Sequence, residues 1–139
     1  MDALPTALQG ILAAKAVIAA YLFGSRADGT EYANSDYDFG ILLEQDPTPA
    51  DIALVIQDFS DAMTEILNPK VDITILNTAN IQMRFEIISK GTVIYCSDDD
   101  KRTDFEDIAI RDYLDFKPFL NLYYREVREA VREGGFYGQ

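Results

Sequence analysis

Leu22-Phe23-Gly24-Ser25-Arg26-Ala27-Asp28-Gly29-Thr30-Glu31-Tyr32-Ala33-Asn34-Ser35-Asp36-Tyr37-Asp38-Phe39-Gly40-Ile41-Leu42-Leu43 joins a Gly-Ser turn to an Asp-x-Asp pair that opens an apolar run. A Gly-Ser at the mouth of a helix can hold phosphates on backbone N–H groups. Two aspartates two residues apart on a strand point to the same side. Together they indicate a nucleotide bound on metal.

The chain around this stretch reads as alternating helix and strand. Ala3 to Lys15 is rich in alanine and leucine at helical spacing, and Val17 to Phe23 is a short apolar run ending at Gly24, as a buried strand does. Ser25 to Asn34 is a polar connection, and Asp36 to Leu43 resumes as a strand until Pro47 and Pro49 break it. Ile52, Val55, Ile56, Phe59, Met63, Ile66 and Leu67 recur at steps of three and four, which predicts a helix over 51–67 with one face on a sheet. Val71 to Leu76 alternates and is β-branched, the signature of a third strand. A helix is expected through Ile88 with Gly91 as its stop, then a short extended segment over Thr92 to Cys96. Beyond the acidic turn Ser97-Asp98-Asp99-Asp100, a long helical stretch is expected from about Thr103 to Glu133, broken or kinked near Pro118. Strands alternating with helices indicate an α/β or α+β sheet with helices packed on it.

Length and composition narrow the chemistry. The 139 residues suit one domain over 1–139, with a core over about 17–96 and a C-terminal helical segment over about 103–133. With no histidine, Ser-His and Cys-His nucleophiles and histidine-bearing metal sites are excluded, so carboxylates must carry any chemistry. The formal charge of −12 opposes direct nucleic-acid binding, which draws its affinity from lysine and arginine replacing counterions. The same surplus suits divalent cations or a basic protein partner. The single cysteine, Cys96, reads as a small core residue. No run approaches the roughly 20 apolar residues that cross a bilayer, and the N-terminus lacks the basic flank of a signal peptide, so a cytoplasmic protein is expected.

On the second strand, Asp36, Asp38, Gly40 and Leu42 share one face, and Tyr37, Phe39, Ile41 and Leu43 the other. Two like charges side by side repel unless a cation sits between them, and magnesium with oxygen ligands is the usual one. Gly40 is expected to leave room for a ligand beside the pair. Asp72 interrupts an apolar set on the third strand and is the natural third carboxylate. Two Mg2+ ions on Asp36, Asp38 and Asp72 can bind a triphosphate, activate an attacking hydroxyl and stabilise the leaving pyrophosphate. Taken singly, each aspartate also has a structural reading: a turn for Asp36, an exposed strand residue for Asp38, an edge charge for Asp72.

Gly-Ser, ten intervening residues, Asp-x-Asp and a later strand aspartate resemble the pattern of the DNA polymerase beta-type nucleotidyltransferase superfamily. The short length is similar to its minimal branch, the MNT antitoxins paired with HEPN toxins. The resemblance covers about residues 17–76. It implies a polymerase-beta-like fold, a small mixed sheet flanked by helices. It places Gly24 and Ser25 at the phosphates, Asp36 and Asp38 as the metal pair and Asp72 as the third carboxylate. Within the MNT branch it implies a type VII-like antitoxin of a prokaryotic cytoplasm. Such a protein adenylyltransferase moves AMP from ATP to a tyrosine of a HEPN ribonuclease toxin, with magnesium, and silences it. Arg26 has two readings, a guanidinium on the triphosphate or a surface residue. Asp28 and Glu31 stand where the family often carries basic residues.

Two further surfaces lie in the last helical stretch. Arg125, Arg128 and Arg132 form a basic stripe open to the nucleotide, to an acidic partner, or to solvent beside Glu126, Glu129 and Glu133. Tyr113, Phe116, Phe119, Leu120, Tyr123 and Tyr124 are expected mostly in the core, the remainder being available to a partner. The competing functions are a nucleotidyltransferase for a small hydroxylated molecule of the aminoglycoside type and an antitoxin that acts by binding alone.

Overall fold

The computed structural model describes residues 6–24, 37–44, 47–67 and 71–133. In chain order these form α1 (Thr6–Ala14), β1 (Val17–Phe23), β2 (Tyr37–Leu43), α2 (Pro49–Leu67), β3 (Val71–Ile75), α3 (Ile81–Lys90), β4 (Thr92–Cys96) and α4 (Asp99–Arg132). The four strands make one mixed sheet in the order β3-β2-β1-β4. β1 pairs antiparallel with β2 and β4, while β2 and β3 run parallel because α2 carries the chain back across the sheet between them.

The alternation along β2 decides what lies on each face. Phe39, Ile41 and Leu43 point to a core shared with Leu8 and Leu12 of α1 and with Val55, Phe59 and Met63 of α2. Phe39 meets Phe59 edge to face at 5.2 Å, an arrangement that suits the ring quadrupoles. Ile56, expected on the inward stripe of α2, turns out to be exposed, because the stripe follows Ile52, Val55, Phe59 and Met63. The side chains of Ile66 and Leu67 lie outside the description.

On the opposite face, Leu42 joins Ile18, Ala19, Tyr21, Leu76 and Ile87 under α3 and α4. Ile18 and Ala19 both reach this face because the β1–β2 register shifts between Val17 and Ala19. A Cβ at Gly40 would stand 2.8 Å from Cγ2 of Ile87, closer than packed atoms tolerate. The room expected there for a ligand is therefore filled by α3, and the missing side chain is what lets that helix approach the sheet. Cys96 is a free thiol, half-buried at the margin of this cluster.

Short polar contacts fix the β3–α3 junction. Leu43 N–H donates to Asn77 Oδ1 and Asn77 Nδ2 donates to the Leu43 carbonyl, both at 2.9 Å, which extends the β2–β3 pairing past the end of β3. Asn80 caps α3 by accepting from the Met83 N–H at 2.8 Å. Arg84 then reaches back to the carbonyls of Leu76 and Asn77, at 2.8 and 2.6 Å.

The last helix differs from its sequence expectation at both ends. It begins at Asp99, not near Thr103: Asp98 is its N-cap, accepting from Lys101 N–H at 3.0 Å, and Asp99 and Asp100 sit in the first turn, where the helix dipole favours negative charge. The acidic turn is thus a helix start. The break expected at Pro118 is absent, and one helix of 34 residues runs through it to Arg132.

Candidate active site

Three of the residues singled out in the sequence meet at one edge of the sheet. β1 ends at Phe23, which lies opposite Asp38 of β2, and Asp38 in turn lies opposite Asp72 of β3. Adjacent residues in register on parallel strands point to the same side, with backbones about 4.8 Å apart. Asp38 is half-buried and Asp72 exposed, so the pair opens to solvent.

Gly24 closes the third side of this edge. Its φ of +77° lies in the left-handed region that residues with a Cβ rarely enter. A Cβ there would also collide with Oδ2 of Asp38. The turn therefore needs glycine twice over, once for its backbone and once because the carboxylate packs against it. Sequence reasoning placed Gly24 by its position after a strand, and the contact with Asp38 was not legible in the pattern.

Ser25, Arg26 and Asp36, the other expected site residues, lie outside the described residues. Among the described residues no three His, Cys, Asp or Glu side chains gather closely enough to hold a metal. Asp38 and Asp72 supply oxygen donors alone, a set that fits a hard cation such as magnesium and not a thiolate- or imidazole-seeking metal.

Gly91 carries a signal that was read only as a helix stop. Its N–H donates to the Ile87 carbonyl at 2.8 Å, and a Cβ on it would stand 3.3 Å from the Leu22 carbonyl and 3.5 Å from Cβ of Phe23. The α3–β4 turn can thus press against the end of β1 next to Gly24.

An open cavity of about 890 Å³ lies at the opposite end of the sheet, where Ile18, Leu42 and Asn77 meet Arg84, Lys101 and Phe105. Its cations are already engaged: Arg84 on two carbonyls, and Lys101 on Glu44 at 2.9 Å. The Glu44 contact holds the Lys101 ammonium above its usual pKa. The cavity is separate from the Asp38–Asp72 edge.

A family model described as polymerase beta, nucleotidyltransferase, matches residues 7–100. The chain belongs to this nucleotidyltransferase family. Similar solved structures include a chain of a toxin-antitoxin crystal structure with AMP-PNP, at 20% identity and a TM-score of 0.70, covering 86% of this chain and 94% of that one. A chain of the MntA-HepT toxin-antitoxin structure has 17% identity and a TM-score of 0.64, covering 86% of this chain and 92% of that one. A third belongs to a tri-AMPylated Shewanella oneidensis HEPN toxin in complex with MNT antitoxin, at 17% identity and a TM-score of 0.64, covering 86% and 91%. At these identities the likeness is one of fold. No curated protein matches the chain in sequence. Among the described residues of this nucleotidyltransferase, no helix is long and apolar enough to cross a membrane.

Proposed function

We propose that this nucleotidyltransferase is the antitoxin of a HEPN/MNT-type pair and transfers AMP from ATP to a tyrosine of its HEPN ribonuclease toxin. The observation that carries the reading is the register of Asp38 on Asp72 beside the Gly24 turn, within a chain of this family. The crystal structure of the similar chain with AMP-PNP supports a nucleotide as substrate, and the HEPN toxin beside MNT antitoxin supports the class of partner.

In this scheme the backbone of Gly24 and Ser25 holds the phosphates, with Arg26 on their outer oxygens. Asp36, Asp38 and Asp72 are the residues that would hold Mg2+, whose chemistry is to neutralise the triphosphate and favour ionisation of the acceptor hydroxyl. Asp72, more open than Asp38, takes the proton from the tyrosine hydroxyl. The tyrosine oxygen forms a bond to the α-phosphorus as the bond to the pyrophosphate oxygen breaks, and pyrophosphate leaves with that electron pair. AMP thus remains on the tyrosine oxygen.

Intact-mass spectrometry tests this on a co-purified HEPN partner incubated with the protein, ATP and magnesium, beside the Asp36→Ala, Asp38→Ala double variant. The expected result is a gain of about 329 Da per AMP, as in-line displacement of pyrophosphate requires, absent with the variant. A stable complex that gains no mass with either protein would overturn transfer in favour of inhibition by binding alone. Labelling of an aminoglycoside but not of the HEPN protein would favour the small-molecule enzyme.

A further inference from the structure

Two glycines seat α3 on the sheet and bring its last turn to the candidate active site. Ile87 fills the space that a side chain at Gly40 of β2 would take. One turn later, a Cβ on Gly91 would stand 3.3 Å from the Leu22 carbonyl and 3.5 Å from Cβ of Phe23. Phe23 lies opposite Asp38 in the β1–β2 ladder, and Asp38 shares the face of Gly40 because strand side chains alternate. α3 therefore crosses the face from which Asp38 projects, and its last turn ends level with that carboxylate.

The pitch of the helix decides which side chain borders the site. Measured from Ile87, Phe85 and Ile88 lie about 160° and 100° round the helix in one direction, and Lys90 about 60° in the other. Phe85 stacks on Tyr113 of α4 at 3.9 Å, and Ile88 joins the cluster that Phe105 of α4 packs against. Lys90 is thus on the side of α3 turned away from α4. α4 is tied to β1, by Ser97 just before it to the Ile18 carbonyl and by Glu106 to Tyr21, and the strand order puts β3 on the other side of β2. The Lys90 stem accordingly leaves α3 toward β2 and β3 at the level of Asp38, the residue in register with Asp72.

Among the described residues that precede α4, the basic side chains are Lys15, Arg84 and Lys90. Lys15 pairs with Asp58 at 2.8 Å next to the start of β1, and Arg84 is engaged on the carbonyls of Leu76 and Asn77 at the far end of the sheet. Lys90 has a looser tie. Its ammonium meets Glu86 Oε1 at 3.2 Å, one helical turn back, with the two side chains 74% and 52% exposed. Exposed pairs of this spacing hold weakly, so the ammonium passes to a more highly charged partner at little cost. A nucleoside triphosphate is such a partner, because its oxygens attract an ammonium as a point charge. The segment from Gly24 to Asp38 offers it one cation, Arg26, against Asp28, Glu31, Asp36 and Asp38.

We propose that Lys90 is a nucleotide-binding residue whose ammonium leaves Glu86 for a phosphate oxygen of the nucleotide at the Asp38–Asp72 edge. The proposal rests on the nucleotide reading of that edge and is independent of the acceptor.

The test is calorimetry of Mg-ATP on the full-length chain and on its Lys90→Gln, Lys90→Arg and Glu86→Gln variants. Intact mass of the HEPN partner reads transfer separately. Both side chains are exposed, so thermal midpoints are expected to stay at the wild-type value. Lys90→Gln is expected to weaken Mg-ATP binding about tenfold, as loss of a charge-assisted bond does. Lys90→Arg keeps the charge and should stay within about threefold of wild type. Glu86→Gln removes the competing carboxylate and should bind Mg-ATP at least as tightly as wild type. Mg-ATP binding that Lys90→Gln leaves unchanged overturns the proposal. So does a loss that Glu86→Gln reproduces, since the pair would then serve the helix and not the nucleotide. A wild-type chain that binds no Mg-ATP overturns the proposal together with the nucleotide reading. A tenfold loss in Lys90→Gln, beside a HEPN protein that gains no mass, leaves Lys90 in place and removes only transfer to that acceptor.

Discussion

The two halves of α4 share a sequence pattern and differ in surroundings. Residues 99–113 lie on the body, tied through Glu106 to Tyr21 and through Tyr113 to Phe85, with Ala109 buried. Residues 114–132, the arm, carry nine large apolar side chains against four in residues 99–113, and bury none. A helical apolar stripe therefore records that something is to be covered, and leaves open whether the chain or a partner covers it.

The largest effect that should separate body from arm is on stability. Phe59→Ala empties a site under the sheet and should cost about 3–5 kcal/mol in urea unfolding. Tyr21→Phe cuts the tie between β1 and the packed half of α4. Because the hydroxyl bonds a carboxylate in a network with Arg102, about 1.5–3 kcal/mol is expected.

Tyr21 also sets a pH dependence. Burial, then the bond to Glu106, raises its pKa far above the usual value near 10. Ionisation thus favours the unfolded chain. The Tyr21 contribution is complete below pH 10 and falls as pH rises past it, a slope that Tyr21→Phe should remove from an alkaline stability profile.

Gly40→Val inserts a side chain against Ile87 and should cost about 1–3 kcal/mol by overpacking, visible as a lower thermal midpoint. Phe119→Ala comes last: at 69% exposure on the arm it should stay within about 0.5 kcal/mol of wild type in the isolated protein. A loss there as large as that at Phe59 would mean that the arm is packed within its own chain.

The strands were legible because each face has its own periodicity. β1 stands where its apolar run predicted, and the two faces of β2 separate Phe39, Ile41 and Leu43 from Asp38, Gly40 and Leu42 as alternation requires. The convergence of Asp38 and Asp72 was readable only in part: two acidic strands could be recognised, but their parallel register depends on α2, whose length fixes no register by itself. The packing of Ile87 over Gly40 was not legible, because a glycine in a strand serves equally for a ligand and for a close helix. The aromatic residues of α4 were expected mostly in the core. They lie largely outside it, because helical spacing is the same for a core and for an interface.

The parallel pairing of β2 with β3 also sets an order of events during synthesis. Asp38 and Asp72 are 34 residues apart, so the second carboxylate leaves the ribosome about 2–7 s after the first. β4, which completes the other side of β1, follows later still. A nascent chain that exposes only the Gly24 turn and β2 holds half of the edge and has no parallel neighbour to align it. The edge that carries Asp38 and Asp72 is thereby completed only once β3 has emerged and paired with β2.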